Sequence, residues 1–385
     1  MDLGPGLTVA PARILTVNAG SSSLKLRVLD EHDTVVGSRD SDAPGDEAEL
    51  RKELEAILDE GAPIDAAGHR VVHGGPEFTG PTIVNPAVED DLDQLADLAP
   101  LHNPPAVAAM RALDALRPGL PTVACFDTAF HATMPAAAST YAIPATWSER
   151  WPLRRYGFHG LSHSYAGRRA AELLDRPLAE LRIVTAHLGA GASLCAVAGG
   201  LSVDTTMGFT PLDGLVMATR SGSIDPGLLL WTQQHGGIGP EEMERALDRE
   251  SGLLALSGRS GDMREIVAGI EEGDERCRLA FDAYIHRLAA GIAAMAAAMS
   301  GIDALVFTGG VGENSAQVRA ATGTASSFLG IEIDGTANDT DHRDQIISAP
   351  QSTVSVLVLS AREDIQLAAQ VRSSLAAARQ HRSSS

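Results

Sequence analysis

Two stretches decide how this chain is read: Ile14-Leu-Thr-Val-Asn-Ala-Gly20 and, 169 residues later, Ile183-Val-Thr-Ala-His-Leu-Gly189. Each is a short apolar run that closes on a glycine. Each is followed by small residues, Ser21-Ser-Ser23 or Ala190-Gly-Ala-Ser193, and then by a second apolar run. Two apolar runs over a short turn of small residues predict a β-hairpin. One strand–turn–strand unit met twice predicts two similar domains facing each other across a cleft. A chance match of short apolar strands is the competing reading, and the repeat alone does not separate the two.

The remaining pattern is read outward from these hairpins. The first comprises strands Arg13–Val17 and Leu24–Leu29. Residues 31–49 are polar, acidic and punctuated by Pro and Gly, which predicts a surface connection. Leu50, Leu54, Ile57 and Leu58 have helical spacing within 49–60. Pro104-Pro105 opens a helix reaching Arg117, since proline is tolerated in a first turn. Thr122–Phe126 is a short buried strand ending at Asp127, and Ser162 caps a helix through Leu174. Strand Ala304–Thr308 runs into a third glycine turn, Gly309-Gly-Val-Gly-Glu-Asn314, followed by helix 315–321. Strand Val354–Leu359, a helix over 363–377 and a frayed polar tail at 379–385 complete the chain.

Composition narrows the class. With 385 residues, 44% apolar and 21% charged, the chain is long enough for two domains and too apolar to be disordered. A net charge of −20 argues against nucleic acid and anionic membrane surfaces as partners. Cys125, Cys195 and Cys277, odd in number and far apart, read as buried reduced thiols rather than disulfides or a zinc site. The apolar run Leu288–Ile302 is shorter than the ~20 residues of a spanning helix and reads as a buried packing helix. No basic-then-apolar leader opens the sequence, so the expected compartment is cytoplasmic.

Glycine and serine turns let backbone N–H groups converge into a concave anion site. Lys25, one of only two lysines, stands at the base of the first turn, where it puts a point charge on a phosphoryl oxygen. Asn18 and Asp127 end strands, where side-chain oxygens suit a hydrated Mg²⁺. A strand, a glycine turn and a helix start in sequence are what a nucleotide phosphate requires of backbone. Three such turns beside polar strand ends predict a phosphate-handling cleft.

At these residues a resemblance appears. Asn18-Ala-Gly-Ser-Ser-Ser-Leu-Lys25 and Gly68-His-Arg-Val-Val-His-Gly-Gly75 resemble the two signature segments of the acetate kinase family. Pro100-Leu-His-Asn-Pro-Pro105, Phe126-Asp-Thr-Ala-Phe-His131, Tyr156-Gly-Phe-His-Gly-Leu-Ser-His163, Thr219-Arg-Ser-Gly222 and Phe307-Thr-Gly-Gly-Val-Gly-Glu-Asn-Ser315 follow in the family's order. The similarity runs from about residue 13 to 375. It implies an α/β chain of the acetate and sugar kinase/Hsp70/actin fold, with two duplicated ribonuclease-H-like domains. These would be residues 1–145, joined by a C-terminal helix at about 370–385, and a nucleotide-binding domain over 146–369. The family moves phosphate reversibly between ATP and acetate, giving ADP and acetyl phosphate, and the resemblance further implies a homodimer.

Residue by residue, Arg70 and Arg220 match the family's substrate and transition-state arginines, and a planar guanidinium fork suits both tasks. His159 resembles its transition-state histidine. Asp127 matches a residue often given a proton-transfer role. A carboxylate acceptor is already ionised at neutral pH, so Asp127 is better read as orienting an arginine or a metal-bound water. Asn18 and Glu363 resemble the magnesium positions, which would also accept Mn²⁺, and Lys25 a substrate position. His187, Leu188, Gly189, Ala190 and Gly191 resemble nucleotide-binding residues, as do Asp262, Met263 and Arg264, and Gly310, Val311, Gly312, Glu313 and Asn314. Val72, Leu101, Phe158 and Pro211 resemble the walls around the acid's methyl group. His73, His102, His131 and His163 read instead as hydrogen-bonded structural residues, and Met207 and Met217 as core.

Three departures from the family pattern stand out. The segment between Lys25 and Gly68 is short, which predicts a trimmed first sheet. Arg362-Glu-Asp364 replaces Asn-Glu-Glu and keeps the carboxylate. Ala190 replaces an asparagine, while Asp262-Met-Arg264 favours ATP over pyrophosphate as donor. A propionate or butyrate kinase is the near alternative. An actin- or Hsp70-like ATPase scaffold is the alternative from another class, and it has no use for paired arginines beside an apolar pocket. A sugar kinase is disfavoured, because a hydroxyl acceptor calls for a committed base.

Overall fold

The computed structural model describes residues 12–20, 23–61, 63–95, 103–340 and 344–383. Its strands form two six-stranded sheets. The first contains β1 (Ile14–Ala19), β2 (Ser23–Leu29), β3 (Val35–Asp42), β4 (Ala66–Val71), β5 (Thr82–Ile83) and β6 (Thr122–Phe126), in the order β3-β2-β1-β4-β6-β5. The second contains β7 (Arg182–Leu188), β8 (Ala192–Ala198), β9 (Leu201–Thr205), β10 (Ala304–Thr308), β11 (Gln345–Ile346) and β12 (Ser355–Val358), in the order β9-β8-β7-β10-β12-β11.

Strand for strand the orders coincide, and so do the directions. β1 is antiparallel to β2 and parallel to β4, as β7 is to β8 and β10. Register completes the match, since Ile14 stands opposite Ala66 and Ile183 opposite Ala304, each the first residue of the parallel neighbour. A chance match of strands does not reproduce order, direction and register together. The repeat in the sequence is a duplicated fold.

Alternation along β1 and β2 explains how the first sheet is covered. Leu15, Val17, Leu24 and Leu26 face Leu50, Leu54 and Ile57 of helix Glu47–Asp59 and Leu113 of helix Asn103–Leu116. Ile14, Ala66, Val123 and Cys125 face the opposite way, against Leu367, Ala368, Val371 and Leu375 of the last helix, Glu363–Ser383. In the second sheet, the apolar run around Leu288 belongs to helix Glu275–Ala298, whose Leu288, Ile292 and Met295 are buried. Among the described residues no helix is long and apolar enough to cross a membrane. All three cysteines are free and buried.

Compact unit 1 comprises residues 1–132, 159–165 and 362–385, and unit 2 comprises 133–158 and 166–361. The last helix joins unit 1 along its whole length, from Arg362 rather than from about 370, because Leu367 and Ala368 already pack on β1 and β4. Thr133 leaves for unit 2 before residue 145, its hydroxyl donating to the Ser202 carbonyl (2.9 Å).

Several expectations change. The surface connection over 31–49 contains β3, an edge strand whose residues are nowhere fully buried and so leave no apolar alternation. Ser162 is buried inside helix Gly160–Leu173 rather than capping it. The third glycine turn is a six-residue helix, Gly309–Asn314, and Ser315 caps the next helix, Ala316–Ala325. The tail expected to fray continues as helix to Ser383.

Candidate active site

In unit 1 the parallel neighbours β1, β4 and β6 end together, and their last polar residues meet. Arg70, on β4, is the centre. Its Nη2 donates to Asp127 Oδ2 at 2.6 Å and its Nε to Oδ1 and Oδ2 at 3.1 and 3.2 Å. Its Nη1 donates to Asn18 Oδ1 at 3.2 Å, and the Glu363 carboxylate lies 3.8 Å from Nε. All three guanidinium nitrogens are therefore engaged by oxygens from β1, from the residue after β6 and from the first residue of the last helix.

Asp127 is 1% exposed, and burial pushes its carboxyl above the usual carboxylate range. The Arg70 charge and the backbone N–H of His159, which donates to it, oppose that push. For Arg70 burial acts against the charge, but Asp127 and Glu363 outweigh it and hold the guanidinium firmly protonated. The carbonyl of Asp127 also accepts the Gly160 N–H (3.0 Å), fixing the start of helix Gly160–Leu173. His159 precedes that helix with φ 56°, a left-handed conformation that strains a non-glycine residue. Its ring lies edge-on to His163, which lies edge-on to His131.

Lys25 is exposed on β2, opposite Asn18 on β1, and its charge helps lower the Asp40 carboxyl after the stronger effect of Arg27. Ser21, Ser22, Leu101 and His102 lie outside the described residues. Val72 is buried just after β4 in unit 1, whereas Phe158, buried, and Pro211 belong to unit 2.

Unit 2 holds a cavity of about 710 Å³. Gly189 and Ala190 line it from the turn after β7, Asp262 to Arg264 from the start of helix Met263–Glu271, and Gly310, Val311 and Asn314 from the short glycine helix. Gly309 makes that junction possible. Its φ is 77°, and a Cβ there would stand 2.8 Å from the Leu188 carbonyl. Asp262 accepts the Arg264 N–H as helix cap and pairs with the Arg264 side chain (2.6 Å). Glu313 is otherwise occupied, as its Oε1 accepts the Ala361 N–H at 3.0 Å.

Sequence reasoning missed Ala218, Gly261, Val267, Ser315 and Gln317, which also line the cavity. It missed Arg319, a buried cation whose Nη1 donates to the Gly312 and Glu313 carbonyls (3.0 and 2.9 Å) and so closes the end of the glycine helix. No local pattern distinguishes a structural arginine of this kind from a surface one. Arg220 lies in a loop whose neighbour Ala218 donates its N–H to the Ala190 carbonyl (3.1 Å), tying it to the cavity's glycine turn. Its side chain bonds Asp248 through Nε at 2.7 Å.

A duplicated sheet of this order, with strand-end arginine and carboxylates in one unit and a glycine-lined cavity in the other, defines an actin-like phosphotransferase of the kinase type. The model of the acetokinase family matches residues 46–369, and the chain belongs to that family. An acetate kinase of Synechococcus sp. (strain JA-2-3B'a(2-13)) is 52% identical over 313 residues, 81% of this chain and 77% of the relative. The crystal structure of Porphyromonas gingivalis acetate kinase is similar with a TM-score of 0.87 at 36% identity, covering 94% of this chain and 100% of that one. A propionate kinase from Francisella tularensis subsp. tularensis SCHU S4 gives a TM-score of 0.86 at 34% identity, over 93% and 98% of the two chains.

Proposed function

We propose that the protein transfers a phosphoryl group reversibly between ATP and acetate, giving ADP and acetyl phosphate. The observation that carries this reading, within the acetokinase family, is Arg70 gripped by Asp127, Asn18 and Glu363. A fixed guanidinium is suited to receive a small carboxylate, and that acceptor needs no base because it is ionised at neutral pH. Phosphoryl transfer asks chiefly for positioning and charge neutralisation. Arg70 and Lys25 hold the acid, Val72 borders its methyl group, and Asp127 keeps Arg70 in place and charged. Arg220 and His159 donate to the transferring group. The nucleotide lies along Gly189 to Gly191, Asp262 to Arg264 and Gly310 to Asn314.

Asn18 and Glu363 offer an amide oxygen and a carboxylate, the hard donors that Mg²⁺ takes while keeping most of its waters. They fit that ion, or Mn²⁺, and would hold it. When bound it neutralises phosphate charge. A homodimer is proposed as well. Helix Pro226–Gly236 has no buried residue and leaves Leu228, Leu230 and Trp231 at least half exposed, apolar surface available to a second copy. Sedimentation at micromolar concentration should show two chains. A cytoplasmic location, with neither nucleic acid nor membrane as partner, completes the reading.

The test is hydroxamate trapping of acyl phosphate from ATP, Mg²⁺ and acetate. ATP hydrolysis without hydroxamate would point to a scaffold ATPase instead. Similarity to a propionate kinase makes propionate the second substrate to try. One methylene in an apolar pocket is worth ~1–3 kcal/mol, so propionate should be used less well than acetate. Equal or better kcat/KM for propionate would reassign the substrate.

A further inference from the structure

Arg220 is held quite differently from Arg70. One hydrogen bond, from Nε to Asp248 Oδ1, is its whole side-chain bonding among the described residues, and both Nη groups remain uncommitted. Asp248 is the penultimate residue of helix Pro240–Arg249, a helix with no buried residue. The last carbonyls of a helix lack internal partners and must find others. Here the arginine loop supplies them, as Ser221 N–H donates to the Leu247 carbonyl (3.1 Å) and the Thr219 hydroxyl to the Asp248 carbonyl (2.9 Å).

From the other side, Ser251 N–H returns to the Thr219 carbonyl (2.9 Å), and Gly252, at φ 63°, presses against the arginine's backbone. A Cβ at Gly252 would meet the Met217 carbonyl at 2.3 Å and the Arg220 carbonyl at 2.7 Å. The loop and the helix end are thus one built piece. Within it Asp248 is the carboxylate that takes the inner edge of the guanidinium.

We propose that Asp248 is a positioning residue for phosphoryl transfer: it fixes Arg220 through Nε so that both terminal nitrogens are presented as a fork to the transferring group. The inference rests on the reading that Arg220 acts on that group. A guanidinium on a flexible stem loses rotamer freedom when it grips an anion, and an arginine already pinned at Nε loses less at the reacting moment. Using one N–H for positioning leaves four for the phosphoryl oxygens. The same carboxylate keeps the charge paired when no phosphate is there.

The experiment measures kcat and both KM values by hydroxamate formation in the wild-type enzyme, Asp248→Asn, Asp248→Glu, Arg220→Ala and the double variant Asp248→Asn/Arg220→Ala. ADP titration by calorimetry reports the folded fraction of each. Asp248→Asn is expected to lower kcat about tenfold or more, the worth of one charge-assisted hydrogen bond, with KM for ATP within about twofold and full ADP stoichiometry. Asp248→Glu, which keeps the charge, should recover part of that loss. In the double variant the asparagine should add nothing to the loss from Arg220→Ala, because its effect passes through the arginine.

A kcat for Asp248→Asn within twofold of wild type would overturn the proposal, and so would losses that multiply in the double variant. A faster Asp248→Asn enzyme would also overturn it, showing that the carboxylate competes for the guanidinium. Failure of the underlying reading looks different: Arg220→Ala itself would turn over like the wild type.

Discussion

Two neighbouring residues of β4 are desolvated with opposite consequences. Arg70 keeps its charge because oxygens of three side chains surround it, and Asp127 is the nearest of these. Asp127→Ala leaves that charge with Glu363, 3.8 Å away, as its remaining carboxylate partner, which should cost about 2 kcal/mol of stability and raise KM for acetate at least as much as KM for ATP. Urea denaturation and initial rates check both, and an unchanged acetate KM would separate Asp127 from the acid's site. His69, one residue earlier on β4, is fully buried, and neither ring nitrogen has a hydrogen-bond partner among the described residues. Burial pushes its pKa down from 6.5 to about 3. A histidine neutral in the fold and protonatable in the unfolded chain contributes stability that is whole above pH 6.5 and is lost as pH falls toward 3. The loss is on the order of 4 kcal/mol across that window. His69→Leu should flatten the decline in unfolding free energy between pH 7 and 4, and an identical slope in the two proteins would refute it. Asn18 and Asp127 could be found in the sequence because polar residues interrupt strand ends there, whereas Arg70 is reached only through the family resemblance of residues 68–75. The pairing of Arg220 with Asp248, 28 positions apart, leaves no such mark.

At the scale of elements, legibility followed burial. Well-buried elements show in the sequence, β1 and β6 as short apolar runs buried on both faces, β2 and helix Glu47–Asp59 by their apolar spacing. β3 and the two-residue strands β5 and β11 do not, because they lie at or near sheet edges and bury little. The last helix shows its period, but not where it docks. Gly68 records that docking. A Cβ there would stand 2.7 Å from Val371 Cγ2, on a helix where a β-branched side chain has little rotamer freedom. Gly68→Ala should therefore cost about 1–3 kcal/mol by overpacking. In a Val371→Ala background most of that cost should vanish, as coupled neighbours require. If the two substitutions simply add in chemical denaturation, the helix does not sit on β4 as described.

Across the whole molecule, one sheet plan serves two chemistries. At matching strand ends, unit 1 carries Asn18 and Arg70 while unit 2 carries His187 and Thr308. The plan itself could be read from the repeated hairpin, whereas the divergence at its ends required the register of β4 and β10. The consequence is a division of labour that nucleotide alone should expose. The proposed reading assigns ADP to the glycine-lined cavity of unit 2, whose walls include Gly189, Ala190, Gly261 to Arg264, Gly310 and Val311. A ligand that binds the folded state stabilises it by RT ln(1 + [L]/Kd), about 2.7 kcal/mol at a hundredfold excess over Kd, and it acts first on the segments it touches. Hydrogen exchange with saturating ADP should therefore slow amides of helix Met263–Glu271 and helix Gly309–Asn314 by about tenfold or more. Amides of β1, β2 and β4 should exchange as in the free protein until acetate or acetyl phosphate is added. Protection that appeared first around Asn18 and Arg70, with the glycine helix unaffected, would place the nucleotide in the wrong unit and reverse the assignment of the two sites.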